Sequence, residues 1–186
     1  MAQWILSPTH QCSGISRIFE FCNDDGLPAM RPYTCGHAAA STFLTYHGVV
    51  KPEEQSALQI MSAIQMHFPA DTMGGYFGVS RRRMEKICRN AGLKLTVVKG
   101  ISELKASLDR CEPVIVVTWV PGPVILGKML PQGHWMVAYA YDESHIYLTN
   151  KFGGCMTWEL FSKSWDHWLP GLIQMRNTGI TTTAAF

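Results

Sequence analysis

The chain has 186 residues, 47% of them hydrophobic and 16% charged, with a formal net charge of +2. That length buries a full core without disulfides or metal, and the composition is globular, with no disordered or low-complexity signature and no electrostatic basis for nucleic-acid binding. No stretch approaches the roughly 18 apolar residues of a membrane span. Met1 to Pro8 lacks the basic and apolar regions of a signal peptide, so a cytoplasmic protein with no membrane insertion is expected.

In chain order, Trp4-Ile5-Leu6 reads as a short strand and Ile15 to Cys22 as a short apolar element, before the turn signal Asn23-Asp24-Asp25-Gly26. Thr34 is a good N-cap for the Ala-rich helix that begins at Cys35, and Gly48 is placed to close it in the left-handed conformation. Pro52 is expected to open a second helix, with Leu58, Met61, Ile64 and Phe68 roughly on one face, ending before Pro69. Ser80 caps a third, bearing Met84, Ile87 and Cys88 and stopped at Gly92.

The period then changes. Leu93 to Val98 reads as a strand, Ser102 caps a helix to Arg110, and the β-branched run Val114 to Val120 reads as a central strand. Pro121 to Gln132 is expected to be a long connection overhanging a cleft. Strands follow at His134 to Tyr141, His145 to Asn150, Met156 to Trp158 and Leu172 to Met175, with a short helix at Glu159 to Trp165. Helices first and an antiparallel sheet second make an α+β arrangement in a single domain, with residues 1–27 an N-terminal extension and 176–186 a C-terminal tail.

The chemistry concentrates at two places. A thiol at the first helical position feels the positive end of the helix dipole and unpaired N–H groups, which lower its pKa; Cys35 is either such a thiol or a small buried residue starting a core helix. Gly36 leaves room for a substrate backbone. The other five cysteines, Cys12, Cys22, Cys88, Cys111 and Cys155, form no Cys-x-x-Cys pair and read as packing residues, and no metal or other cofactor is expected.

The second place is the hairpin 134–150. A three-residue turn at 142–144 sets Tyr141 opposite His145, so Met136 faces Asn150 with His134 on the same face as its diagonal neighbour, and a register shifted by two sets His134 directly opposite Asn150. An imidazole and a carboxamide then stand together at the open end of the hairpin, the amide fixing the tautomer of the ring. A cysteine with a distant His and Asn is the pattern of a thiol nucleophile. His37 reads as a helix-surface residue, and His47 and His67 as helix-end cations.

Thr-Cys-Gly-His-Ala-Ala at 34–39 resembles the Cys-Gly-Pro-Ala-Ala motif of papain-like cysteine peptidases of the C39 type, the bacteriocin-leader-processing peptidases and their free-standing relatives. Gly-His-Trp-Met-Val-Ala-Tyr from Gly133 is similar to that family's His strand, and Ile-Tyr-Leu-Thr-Asn to the strand ending in its third residue. The resemblance covers most of residues 28–175. His37 stands where the family has Pro, and Lys-Phe-Gly-Gly follows Asn150 in place of Pro. No Gln lies between Gly26 and Cys35 to serve as the family's oxyanion donor; Gln11, in Ser-Pro-Thr-His-Gln, resembles that residue with 12–34 as an insertion.

The resemblance implies a papain-like fold and a Cys35–His134–Asn150 triad with Gln11 at the oxyanion. It implies a peptide or amide substrate hydrolysed through an acyl-enzyme, His134 holding the thiolate as an ion pair. Two other functions share these residues: an acyltransferase or amide-forming enzyme that intercepts the same acyl-enzyme, and a non-catalytic peptide-binding module.

Overall fold

The computed structural model describes residues 3–6, 15, 17–21, 34–71, 78–125, 128–149, 154–166 and 176–183. Five helices and eight strands occur in them: β1 (Gln3–Leu6), β2 (Arg17–Glu20), α1 (Cys35–Tyr46), α2 (Ala57–His67), α3 (Arg81–Asn90), β3 (Leu95–Lys99), α4 (Gly100–Asp109), β4 (Val114–Ile125), β5 (Lys128–Tyr141), β6 (His145–Leu148), β7 (Cys155–Thr157), α5 (Trp158–Trp165) and β8 (Thr178–Thr182). β1 and β2 form a two-stranded sheet; the other six form an antiparallel sheet in the order β3-β8-β4-β5-β6-β7. The α+β arrangement read from the sequence is the one observed.

α1 starts at Cys35 and ends before Gly48, at φ +69°, as its sequence indicates, but Thr34 at the N-cap position makes no side-chain capping hydrogen bond. Every residue from Cys35 to Thr45 is buried, as expected of a helix whose small, apolar residues let neighbours close on all sides. β2 covers part of it, the Phe21 N–H donating to Thr42 Oγ1 at 3.0 Å, while Ile18 is fully buried in the main core. His37 is therefore a core residue, correcting its assignment to the surface: it is wholly inaccessible and its Nε2 stands 2.9 Å from the Phe68 carbonyl oxygen.

Three expected boundaries move, each for a reason of hydrogen bonding. α2 starts at Ala57, not at Pro52, because Ser56 and Gln59 form a reciprocal capping box that satisfies two otherwise orphaned N–H groups. α4 starts at Gly100 ahead of Ser102, the Lys99 N–H donating to Glu103 Oε2 at 2.7 Å. The segment 176–186, expected to be a tail, supplies β8, which lies between β3 and β4 with Ile180 buried. Residues 172–175, expected to be the last strand, lie outside the described residues.

The largest departure is at Pro121 to Gln132, read as a connection. β4 and β5 continue through it as one hairpin, pairing Val120 with Gln132, Pro121 with Pro131 and, past a register shift, Ile125 with Lys128. The prolines are tolerated for a geometric reason. The Thr149 N–H donates to the Val137 carbonyl, and the Val137 N–H to Thr149 Oγ1, so Val137 turns its backbone polar groups away from β4. With alternating ladder bonds, positions 135, 133 and 131 do the same. The nitrogens of Pro121 and Pro131 thus face the outer edges of the ribbon, where a missing N–H breaks no ladder bond and blunts the edge.

The turn between β5 and β6 is one residue longer than expected. Tyr141 pairs with Ile146 rather than with His145, and Asp142 Oδ1 accepts the N–H groups of Ser144 and His145, each at 2.7 Å. A bulge between Ala138 and Ala140 then takes up the extra residue, so Ala138 pairs with Leu148. Beyond the bulge the register equals the one expected from the sequence.

Candidate active site

Cys35 is the first residue of α1 and 6% exposed, with no acidic residue in the helix's first turn. Burial is the largest influence on the thiol and pushes its pKa up from the ordinary value; the backbone N–H groups of Trp135, Gly36 and Cys35 itself oppose that rise. The expected lowering of the pKa is therefore corrected. The helix terminus supplies its N–H groups, but removing the sulfur from water outweighs them.

The Trp135 N–H, which favours charge on the Cys35 sulfur, lies past the described pairing of β5 with β6. β6 stops at Leu148, and among the described residues Thr149 makes the last bonds to β5 at Val137. Trp135 is two residues farther along β5, with its N–H on the same side. The first turn of α1 packs here, Trp135 Cδ1 lying 3.2 Å from where a Cβ of Gly36 would be. Cys35 thus meets β5 at the residue next to His134, about a hundred positions away in sequence.

His134 is 6% exposed and pairs across the strands with Thr118 of β4. The Thr118 hydroxyl is buried and has no hydrogen-bond partner among the described residues. Asn150 and Gln11, the two other expected site residues, lie outside the described residues.

Sequence reasoning missed the third wall of the site, Val79. The Trp135 indole N–H donates to the Val79 carbonyl at 2.8 Å, and Val79 is 1% exposed. A Cβ on Gly36 would stand 2.7 Å from Val79 Cβ and 3.2 Å from Trp135 Cδ1. Gly36 is thus a close-packing residue, where the sequence suggested space for substrate. Val79 is held in turn by Asp71, whose carboxylate accepts the Ser80 N–H and hydroxyl, both at 2.7 Å, and pairs with Arg83 at 3.4 Å. Ser80 meanwhile caps α3, its Oγ accepting the Arg83 N–H. The only advance signal was Ser80 itself, an evident N-cap one residue after Val79.

The remaining cysteines divide. Cys88 is fully buried, while Cys111 and Cys155 are exposed rather than packed, and Cys12 and Cys22 lie outside the described residues. His47 does end a helix, but burial lowers its pKa and favours the neutral ring, with the Glu112 carboxylate opposing that shift. A cavity of about 480 Å³ opens between α1, α2 and α3, lined by Leu44, Ile64, Phe68, Lys86 and Ile87 among others; Cys35 does not border it. No described helix is long and apolar enough to cross a membrane.

No family model and no curated protein matches the chain by sequence. Solved structures do match. A protein described as a C39-like peptidase from Bacillus anthracis superimposes with a TM-score of 0.58 at 14% identity, over 87% of this chain and 90% of that one. The peptidase domain of Streptococcus ComA, a bi-functional ABC transporter involved in a quorum-sensing pathway, superimposes with a TM-score of 0.55 at 13% identity, over 85% of this chain and 97% of that one. At such identities the likeness is one of fold, and the chain has the papain-like α+β fold of C39-type peptidases.

Proposed function

We propose that the chain is a cysteine peptidase or amidase with Cys35 as nucleophile and His134 as base. The observation that carries this reading is the packing of Trp135, the residue after His134 on β5, against Gly36, the residue after Cys35. The C39-type fold supports a peptide substrate. Because burial favours the neutral thiol, proton transfer to His134 accompanies attack instead of preceding it, and the N–H groups around the sulfur stabilise charge as it forms.

In the first half-reaction the S–H proton passes to His134 as the sulfur bonds to the substrate carbonyl carbon. The tetrahedral intermediate collapses, the C–N bond breaks, and His134 returns the proton to the leaving amine. Water then attacks the thioester with His134 accepting its proton, releasing the acid and restoring the thiol. Asn150 is assigned to orient the imidazole and Gln11 to donate to the oxyanion.

The test is intact-mass analysis after exposure to an activated ester and to a peptide mixture, with and without added amine. An acyl adduct on Cys35, absent from Cys35→Ala, with peptide cleavage in the native chain, is the expected result. Cleavage persisting in Cys35→Ala overturns the assignment. An acyl adduct that yields only amide product with added amine replaces hydrolysis by acyl transfer. A chain that forms no adduct and cleaves nothing is not a peptidase.

A further inference from the structure

Two segments far from α1 in sequence, at Val79 and on β5, meet at its first turn, and the Trp135 side chain joins them. Trp135 lies on β5 with 3% of its surface exposed. Its backbone N–H is among the groups that favour charge on the Cys35 sulfur. Its indole N–H binds the Val79 carbonyl at 2.8 Å, and its Cδ1 stands 3.2 Å from where a Cβ of Gly36 would be. Val79 closes the same space from the other side, 2.7 Å from that Cβ position. The glycine therefore sits in a slot whose walls are bonded to each other.

We propose that Trp135 is a positioning residue: its indole, tied to Val79, clamps Gly36 and so holds the first turn of α1, with Cys35, against β5 at the residue next to His134. The assignment rests on the cysteine-peptidase reading for its consequence in catalysis, while the clamp is a matter of packing and hydrogen bonding.

A tryptophan is required here for two reasons. A phenyl ring keeps most of the apolar contact but has no N–H, so the buried Val79 carbonyl loses its donor, a loss more costly than the bond's net contribution suggests. A carbonyl left unpaired is free to turn away, and Val79 then no longer presses on Gly36. The clamp extends to α3, because Asp71 and Ser80 fix the residue after Val79. The titratable side chains flanking the contact are His134, next to Trp135 on β5, and His37, one residue past Gly36 with its ring at the Phe68 carbonyl. Trp165 offers a control: its indole N–H also donates to a backbone carbonyl, that of Thr178, at 3.2 Å, in a different part of the core.

Residue-resolved amide exchange on the native chain, Trp135→Phe and Trp165→Phe tests this. In Trp135→Phe the amides at positions 135 and 36 should exchange about tenfold faster or more, the loss expected for one hydrogen bond's restraint. The Val137 amide, held by Thr149 Oγ1, should keep its rate. Trp165→Phe should leave positions 135 and 36 unchanged relative to Val137. Unchanged exchange at 135 and 36 in Trp135→Phe, or an equal rise at Val137, overturns the proposal, the latter showing a merely global loosening. If Trp135→Phe does not fold, Gly36→Ala pushes Val79 away from the indole from the opposite side and is read in the same way. With a cleavable peptide, Trp135→Phe should lower kcat with KM unchanged. Because exchange needs no substrate, failure of the clamp leaves the peptidase reading standing, and a chain that cleaves nothing still decides the clamp.

Discussion

Two cysteines are buried in the described core, and they differ in almost everything but burial. Cys35 opens α1, whose first-turn N–H groups have no partners inside the helix, and β5 adds the Trp135 N–H. Cys88 lies in the last turn of α3, and Glu85, one turn earlier, adds a negative charge to the effect of burial. Its pKa is pushed up to about 12. Desolvation raises both thiols. What separates them is what each sulfur meets: dipoles that welcome a negative charge at Cys35, a carboxylate that repels it at Cys88. Position along a helix, more than depth in the core, decides which buried thiol can become a nucleophile.

The largest expected effect breaks the comparison outright. Cys35→Ala should lower peptide turnover by roughly three orders of magnitude or more, whereas Cys88→Ala should change it by less than about threefold. Steady-state cleavage rates decide this, and equal losses in the two variants would mean that Cys35 reacts no differently from a packing residue. His134→Ala should match Cys35→Ala.

Alkylation sharpens the contrast. At pH 8, iodoacetamide should label Cys35 at least about tenfold faster than Cys88, as read by peptide mass spectrometry, because backbone N–H groups favour charge on Cys35 while Glu85 opposes it on Cys88. The sign for stability follows from the Cys88 shift. The folded-state pKa of Cys88 lies above its ordinary value of 9.0, so its contribution is complete below pH 9 and is lost as pH rises toward about 12. Denaturant midpoints should fall over that window in the native chain and fall less in Cys88→Ala.

Gly36→Ala probes the packing that only the Cys35 side possesses. The added methyl meets Val79 Cβ at 2.7 Å, and overpacking of this kind should cost about 1–3 kcal/mol in denaturant unfolding. The smallest effect concerns the strand opposite His134. Thr118→Val replaces a buried hydroxyl without a described partner by a methyl group and should be neutral or stabilising by up to about 1 kcal/mol. A clear destabilisation would show that the hydroxyl has a partner in the folded protein.

Much of this was legible in the chain because it is local. Gly48 marks the end of α1 and Ser80 the start of α3 by rules that act within a few residues, and the Ala-rich run after Thr34 puts Cys35 at a helix start wherever the helix docks. The register of β5 against β6 as far as Ala138 and Leu148 was also right, although the turn was misjudged by one residue and the bulge restored the count. Sequence determined these features because helix caps and strand alternation depend on near neighbours.

Tertiary structure decided the rest. That Pro121 and Pro131 sit inside a hairpin depends on which way their nitrogens face, which the pairing partner sets. That residues 178–182 form a strand between β3 and β4 depends on a slot made by segments far upstream. That Gly36 is a contact point, and that Val79 and Trp135 make it so, is invisible until three distant segments are brought together. The sign of the Cys35 shift belongs to the same class. The sequence names the dipoles that favour a thiolate, but only the folded chain fixes how much water is removed from the sulfur, and that removal is the larger influence.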